Sequence, residues 1–209
     1  MSDSPQKISV GVIILAAGAS KRMGKPKTLL PWGKTTILGH LLEQWNRLGA
    51  GQITVVCATN DTAIQTELAA RTFSKENVIT NPNPQRGMFS SIQCAARWTG
   101  WKSELTHWAI TLGDQPQVRE ETLRALLDFV RANENKICQP RRNGRGRHPV
   151  VLPRNIFDAL KNSSAENLKH FLQSFPSETA GFESDDAGLD LDLDTPEDYQ
   201  RTIAGFGKM

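Results

Sequence analysis

The run VGVIIL, residues 10–15, is apolar without interruption, and four more β-rich runs follow it: QITVVCA (52–58), NVIT (77–80), HWAITL (107–112) and KICQ (136–139). The first reads as a strand over 8–15, and the others as strands over the ranges given. Between them lie stretches of helical periodicity. TTILGHLLEQWNRLG offers Thr35 and Thr36 as N-caps, repeats apolar residues at helical spacing and stops at Gly49. Further helices are predicted over 61–71, 88–98, 120–132, 155–161, 166–174 and 196–204. Strand, helix and strand in repetition constrain the chain to a Rossmann-like, doubly wound α/β fold, a mostly parallel sheet with helices on both faces. With 209 residues, 38% of them hydrophobic, the chain suits a single domain spanning 1–209. SETAGFESDDAG (177–188) reads as a mobile loop.

Composition narrows the function classes. A net charge of +3 gives no footprint for general nucleic-acid or membrane binding. Cys57, Cys94 and Cys138 form neither a CxxC pair nor an even disulfide set, as expected of a reducing cytoplasm. The polar start MSDSPQK is followed by an apolar run too short to cross a bilayer and lacking a small-residue cleavage site, so the expected location is cytoplasmic.

Ligands of open α/β sheets sit beyond the carboxyl ends of the strands, which draws attention to LAAGASKRMGKPK (15–27). Ala16, Ala17 and Gly18 leave the backbone bare for phosphate oxygens, while Arg22 and Lys27 supply charge. The loop is not a Walker A motif, because five residues separate Gly18 from Gly24 and Pro26 follows Lys25; nor is it GxGxxG. On spacing alone, a phosphate cradle and a solvated basic turn remain equally open. TLGDQP (111–116) ends the fourth strand with Asp114, well placed for a Mg²⁺ that bridges phosphates, although an Asp turn or cap is the plainer reading of this motif alone.

In GLDLDLDTPEDY (188–199), strand alternation would put Asp190, Asp192 and Asp194 on one face, neighbouring carboxylates ~7 Å apart. Such a face suits a cation or a water-facing edge, and Asp194 also suits a helix cap with Pro196 at N1. RRNGRGRHP gathers Arg141, Arg142, Arg145 and Arg147 ahead of His148, either for an anionic acceptor with a phosphate handle or as a solvated loop. No aromatics interleave with these arginines, which disfavours RNA. His40, His107 and His170 lack zinc-ligand spacing.

Together these segments resemble the MobA-like nucleotidyltransferases, most closely their molybdenum cofactor cytidylyltransferase branch, along nearly the whole chain. LAAGASKRMGKPKTLLPWGKTTIL is similar to that family's LAAGxSxRMGxxKxLLPxxG loop, NPNPQRGMFSSI to its NPxxxxGxxxS segment, TLGDQP to its GDMP-like turn and LDLDTPEDY to its DIDTPEDY ending. The resemblance implies a Mg²⁺-dependent enzyme that moves a nucleoside monophosphate from an NTP to the phosphate of an acceptor, with pyrophosphate released. The acceptor it implies is molybdenum-molybdopterin, and LAAG rather than LAGG favours CTP. It assigns Ala16, Ala17, Gly18, Ser20, Arg22 and Lys27 to the nucleotide loop, with Asn81, Gly87 and Ser91 holding base and sugar. Asp114 matches the metal aspartate, and Asp194 is the second ligand, with Asp192 as its competitor. Lys27, Arg22 and Asp114 are the expected catalytic residues; Arg145, Arg147 and His148 are the expected acceptor contacts. One departure is Arg147, where the family commonly places a glycine directly before His-Pro. Two other readings stay open: a nucleotidyltransferase for a sugar phosphate or other small phosphate, and a non-catalytic nucleotide-binding module that hands a cofactor to a molybdoenzyme. A monomer is expected.

Overall fold

The computed structural model describes residues 8–18 and 26–206, so Ser20 and Arg22 lie outside the described residues. The first strand, β1 (Val10–Leu15), leads through the loop to a two-stranded ribbon, β2 (Pro31–Trp32) and β3 (Thr35–Thr36). Helix α1 (Ile37–Arg47) follows, capped by Thr36, whose side chain accepts from Gly39 N, and closed by Gly49 at φ 76°. Next come β4 (Gln52–Ala58), α2 (Thr62–Ala70), β5 (Val78–Asn81), α3 (Met88–Arg97), β6 (His107–Leu112) and α4 (Glu120–Ala132). The second half contains β7 (Ile137–Arg142), β8 (Arg145–Gly146), β9 (Val150–Pro153), α5 (Arg154–Ala159), α6 (Leu168–Gln173), β10 (Thr179–Glu183) and α7 (Pro196–Phe206).

Eight strands form the main sheet in the order β10-β7-β9-β6-β1-β4-β5, with β8 paired to β7. All pairs from β6 to β5 are parallel, as is β10 with β7. Only β9, antiparallel to both β6 and β7, and the short β8 run against them. The expected doubly wound, mostly parallel architecture is the observed one. Each strand alternates its side chains between two cores. Val12, Ile14, Val55, Cys57 and Ala109 meet α1, α2, α4 and α7 on one face; Ile13, Val56, Ile79, Trp108, Ile110 and Val150 meet α3, α5 and α6 on the other. Burial of each such large side chain stabilises the fold by roughly 1.5–3 kcal/mol. Trp108 stacks on Phe157 with centroids 4.4 Å apart, and a Cβ at Gly11 would stand 3.2 Å from the Trp108 ring.

Two expectations fail. The segment read as a mobile loop contains β10, which pairs with β7 from Thr179↔Ile137 to Glu183↔Arg141. Its small residues and half-buried edge position suppress the apolar alternation that marks a strand. The run read with strand alternation from Leu189 to Asp194 instead follows a 3-10 turn, Ala187–Asp190, with an irregular passage into α7. Its backbone carbonyls are taken elsewhere: the Gln117 side-chain amide donates to Gly188 O and, at 2.8 Å, to Leu191 O. Its three aspartates consequently do not share a face. The strand β9 was also unexpected, being four residues long and ending in proline.

Candidate active site

At the carboxyl ends of β1 and β6 opens a cleft of about 750 Å³. One wall is Leu15, Ala16, Ala17 and Gly18; the other is Pro84, Gln85, Gly87, Met88 and Ser91; Leu112 and Gly113 lie between. Ala16 is fixed by a backbone bond to Val56 O at 2.8 Å, which extends the β1–β4 pairing, and exposure rises from Ala16 to Gly18. Gly113 N donates to Leu15 O at 3.0 Å, and a Cβ at Gly113 would stand 2.4 Å from that oxygen. Glycine therefore permits the approach that brings Asp114 beside the first loop.

The opposite wall begins with Gly87 at φ 88°, a conformation open to glycine, from which α3 starts without a side-chain cap. The helix thus presents its uncapped amides and dipole to the cleft. Ser91 lines the cleft, whereas Asn81 lies behind it, 1% exposed, with its amide donating to Ser90 Oγ at 2.8 Å and Ser91 Oγ at 2.9 Å. Asn81 also accepts from Asn83 N. It sets the start of α3 from below.

The centre of charge is Lys27. Its ammonium donates to Asp114 Oδ2 at 3.1 Å and to Asp194 Oδ1 at 2.7 Å. Burial pulls the Lys27 pKa down, but the hydrogen bond to Asp194 and the charge of Asp114 outweigh it and raise the value above its usual 10.5. Of the two competing C-terminal aspartates, Asp194 shares this ammonium. Asp192 lies within electrostatic reach: lost solvation and the negative charges of Asp114 and Asp194 raise its carboxyl above the usual range. Asp190 turns away, accepting from Arg147 Nε at 2.6 Å and Arg142 Nε at 2.8 Å.

Residues that no motif advertised bring Asp194 to Lys27. Asp186, fully buried, accepts from Gly188 N at 2.9 Å, Arg119 N at 2.9 Å and Thr122 Oγ1 at 2.7 Å. With Gln117 it ties the 3-10 turn to the loop after Asp114. The Tyr199 hydroxyl donates to Pro31 O at 2.6 Å, tying α7 to the segment that carries Lys27. Sequence reading also passed over Thr28, Gly113 and Met88 as cleft residues. Gly113 lay inside the TLGDQP motif, but Met88, 43% exposed, carried no signal beyond following Gly87.

The acceptor candidates separate. Arg147 is committed to Asp190, and Arg145 is exposed on β8. His148 Nδ1 lies 3.2 Å from Ile110 O, and since a carbonyl only accepts, the proton sits on Nδ1. Burial lowers the His148 pKa below its usual 6.5, against smaller opposing contributions from Ile110 O and Asp114. The neutral imidazole keeps Nε2 as an acceptor.

A carboxylate pair that shares one ammonium, in a cleft beyond the carboxyl ends of an α/β sheet, suits a nucleotide whose phosphates are bridged by a cation. The chain belongs to the MobA-like NTP transferase domain family, whose model matches residues 12–180, and it is a nucleotidyltransferase in fold and family. It is similar to the molybdenum cofactor cytidylyltransferase of Escherichia coli K12, 26% identical over 91% of this chain and 94% of that one. The nicotine blue oxidoreductase of Paenarthrobacter nicotinovorans is 27% identical over 97% of this chain and 100% of its own length. Among solved structures, Rv0371c of Mycobacterium tuberculosis is 26% identical and aligns over 94% of this chain and 98% of that one, with a TM-score of 0.74. Its complex with manganese aligns with a TM-score of 0.67. Among the described residues, no helix is long and apolar enough to cross a membrane.

Proposed function

We propose that the protein transfers the cytidylyl group of CTP to the phosphate of molybdenum-molybdopterin and releases pyrophosphate. The observation that carries this reading is Lys27 clasped between Asp114 and Asp194 beside the nucleotide-sized cleft. The oxidoreductase among the relatives is a reminder that a fold hosts several chemistries; this carboxylate pair is what favours phosphoryl transfer. CTP is assigned because the loop reads LAAG, and molybdopterin because of the cytidylyltransferase relative.

The triphosphate would lie between Ala16–Gly18 and the uncapped start of α3, where backbone amides face its oxygens. Lys27 offsets the charge of the transferring phosphoryl group, and Arg22 is assigned to the β and γ phosphates. An ionised acceptor phosphate needs no general base. Its oxygen attacks the α-phosphorus in line, a new P–O bond forms there, and the bond to the bridging oxygen of pyrophosphate breaks. The enzyme's work is positioning and charge neutralisation.

The donor set fits a small divalent cation. Asp114 and Asp194 offer hard oxygens close enough to share one ammonium, and among the described residues no group of three or more His, Cys, Asp or Glu makes a closed site. Two carboxylates completed by substrate oxygens suit Mg²⁺. When bound, such a cation neutralises phosphate charge at the reacting centre. Asp192 stands next to this pair as a further carboxylate.

Incubation with each NTP, Mg²⁺ or Mn²⁺, and either molybdopterin or a panel of sugar and small alcohol phosphates tests the proposal through pyrophosphate release. CTP with molybdopterin should give the fastest release. Faster turnover with a sugar phosphate would replace the acceptor, and nucleotide binding without release under any condition would make the protein a non-catalytic carrier.

A further inference from the structure

The loop that follows Asp114 is gripped from both sides by buried glutamine amides. On one side Gln44, in α1 and 3% exposed, donates from Nε2 to Val118 O at 3.0 Å. On the other Gln117, 1% exposed, reaches out of the loop and donates from Nε2 to Gly188 O at 3.2 Å and to Leu191 O at 2.8 Å. These bonds join the segments that carry the charges of the cleft. Lys27 leads through the β2–β3 ribbon into α1, Asp114 opens the gripped loop, and Asp194 follows Leu191 on the far segment.

Both glutamines leave Oε1 buried with no hydrogen-bond partner among the described residues. An orphaned buried acceptor costs free energy. A methionine of similar length would carry no such oxygen, so what the amide supplies at 117 is its donors, aimed at two backbone carbonyls.

The segment that receives those donors has little else to fix its course. Leu189 and Leu193 sink it into the core beneath α7, but apolar contact is non-directional and does not set how far the chain between them extends. Asp186 anchors its start through Gly188 N, Arg119 N and Thr122 Oγ1. Among the described residues no strand pairs with the passage from Leu191 to Thr195, and the bond from Gln117 to Leu191 O is the last hold on its backbone before Thr195 opens α7. Asp194 lies within that passage, and its carboxylate meets the ammonium that Asp114 also holds.

We propose, resting on the nucleotidyl-transfer reading above, that Gln117 is a positioning residue whose amide sets how closely Asp194 approaches Asp114, and that the pair so set selects a small divalent cation over a large one. The selection follows from the demands of the ions. Mg²⁺ requires oxygens at about 2.0–2.1 Å in near-ideal octahedral geometry, whereas Ca²⁺ accepts six to eight oxygens at about 2.3–2.6 Å in a flexible arrangement. A carboxylate pair held at fixed reach favours the first ion, and slack in the segment of Asp194 costs that ion more than the second. Gln117 touches neither the cation nor the nucleotide in this scheme; it acts through the backbone of residues 188–191.

The test measures Mn²⁺, an ion of octahedral oxygen sites like Mg²⁺, on the full chain without nucleotide or acceptor. The free-ion signal in electron paramagnetic resonance gives the Kd for Mn²⁺, and displacement of Mn²⁺ gives that for Ca²⁺. Gln117→Met should raise the Kd for Mn²⁺ about tenfold, the lower end of the effect of outer partners on metal affinity, and the Kd for Ca²⁺ by less than about threefold. Gln117→Asn keeps the amide but falls one methylene short of Leu191 O; it should act alike, and it carries the test where the methionine variant does not fold. Ile156→Val, in the core on the other face of the sheet, should lower Tm and leave both constants unchanged. Equal weakening of Mn²⁺ and Ca²⁺ would make Gln117 a plain structural residue and overturn the proposal, as would an unaltered Kd for Mn²⁺ or no Mn²⁺ binding by the native protein. If the preference for Mn²⁺ depends on Gln117 while no NTP ever yields pyrophosphate, the transfer reading fails and the positioning stands.

Discussion

Two charge clusters at the same edge of the sheet are built as inverses. In one, a single ammonium, Lys27, is held by two carboxylates, Asp114 and Asp194. In the other, a single carboxylate, Asp190, is held by two guanidinium groups, Arg142 and Arg147. Among the described residues, the first sets two carboxylates around one ammonium and the second two guanidinium groups around one carboxylate, so the first offers oxygens to a cation and the second donors to an anion. The difference also appears in their titration. Burial opposes the charge of Lys27, yet its two aspartates keep it protonated beyond its usual range; Asp190 is held below the carboxylate range because hydrogen bonds and charge from Arg147 and Arg142 outweigh its lost solvation. Composition alone would read both as scattered surface charge, since basic and acidic residues nearly balance at a net +3.

The largest effect should come from breaking the first cluster. Lys27→Met leaves Asp114 and Asp194 facing each other without their shared cation, and Asp114→Asn removes one arm of the pair. Either should lower kcat/KM for nucleotidyl transfer by ~10³ or more, the scale of losing a preorganised charge at a transferring phosphoryl group. Both changes lie outside the two cores, so the circular dichroism spectrum should be unaltered and Tm should move by only a few degrees. Pyrophosphate release near the native rate in either variant would reject the assignment.

A smaller effect should come from the second cluster. Asp190→Ala frees both arginines and removes one negative charge beside the acceptor path. At low ionic strength the KM for a phosphate acceptor should fall about threefold, and the gain should fade towards ~0.5 M salt as screening shortens to a few ångströms. The stability cost should stay below about 1 kcal/mol, because these pairs are partly exposed. A higher KM instead would mean that Asp190 orients the arginines for binding, and that the inverse relation of the two clusters is geometric and not electrostatic.

The sequence made the first cluster far more legible than the second. β1, the small-residue loop and Asp114 are close to one another along the chain's strand-to-loop rhythm, so the parallel-sheet rule places them together before any coordinates are known. Asp194 was nameable from its motif, but its position depends on Asp186 and Gln117, a polar residue fully buried and an amide bonding backbone, neither of which produces a periodic pattern. The division of labour among Arg141, Arg142, Arg145 and Arg147 was invisible for a related reason. It depends on strand alternation in β7 and on β10, whose small half-buried residues hid it, so the face each arginine occupies could not be assigned. The expected acidic face of Asp190, Asp192 and Asp194 failed because alternation was assumed in a segment whose carbonyls are bonded by a side chain and not by a neighbouring strand.

His148 stands between the clusters and offers the finest test of how they differ. Burial lowers its folded pKa below the usual 6.5, so the unfolded chain binds more protons than the folded one in the window between those two values. Stability from the neutral, Nδ1-protonated ring is therefore complete above about pH 6.5 and is lost as pH falls towards the folded pKa, by up to ~1.4 kcal/mol per pH unit while the window lasts. His40 and His107, also lowered mainly by burial, add to the same loss. The Asp190 cluster behaves oppositely in range: its depressed carboxyl contributes stability above its usual 3.8 that disappears only at lower pH. Lys27 contributes stability below its usual 10.5 that disappears only above its raised folded value. Urea denaturation between pH 7 and 5 should thus show a midpoint that falls with acid. His148→Gln, whose amide can still donate to Ile110 O, should flatten that slope by about one histidine's share. A slope unchanged in this variant would mean that the ring takes up protons alike in the folded and unfolded chain, and a steeper slope that it is protonated in the folded protein at neutral pH, a third positive charge between the two clusters.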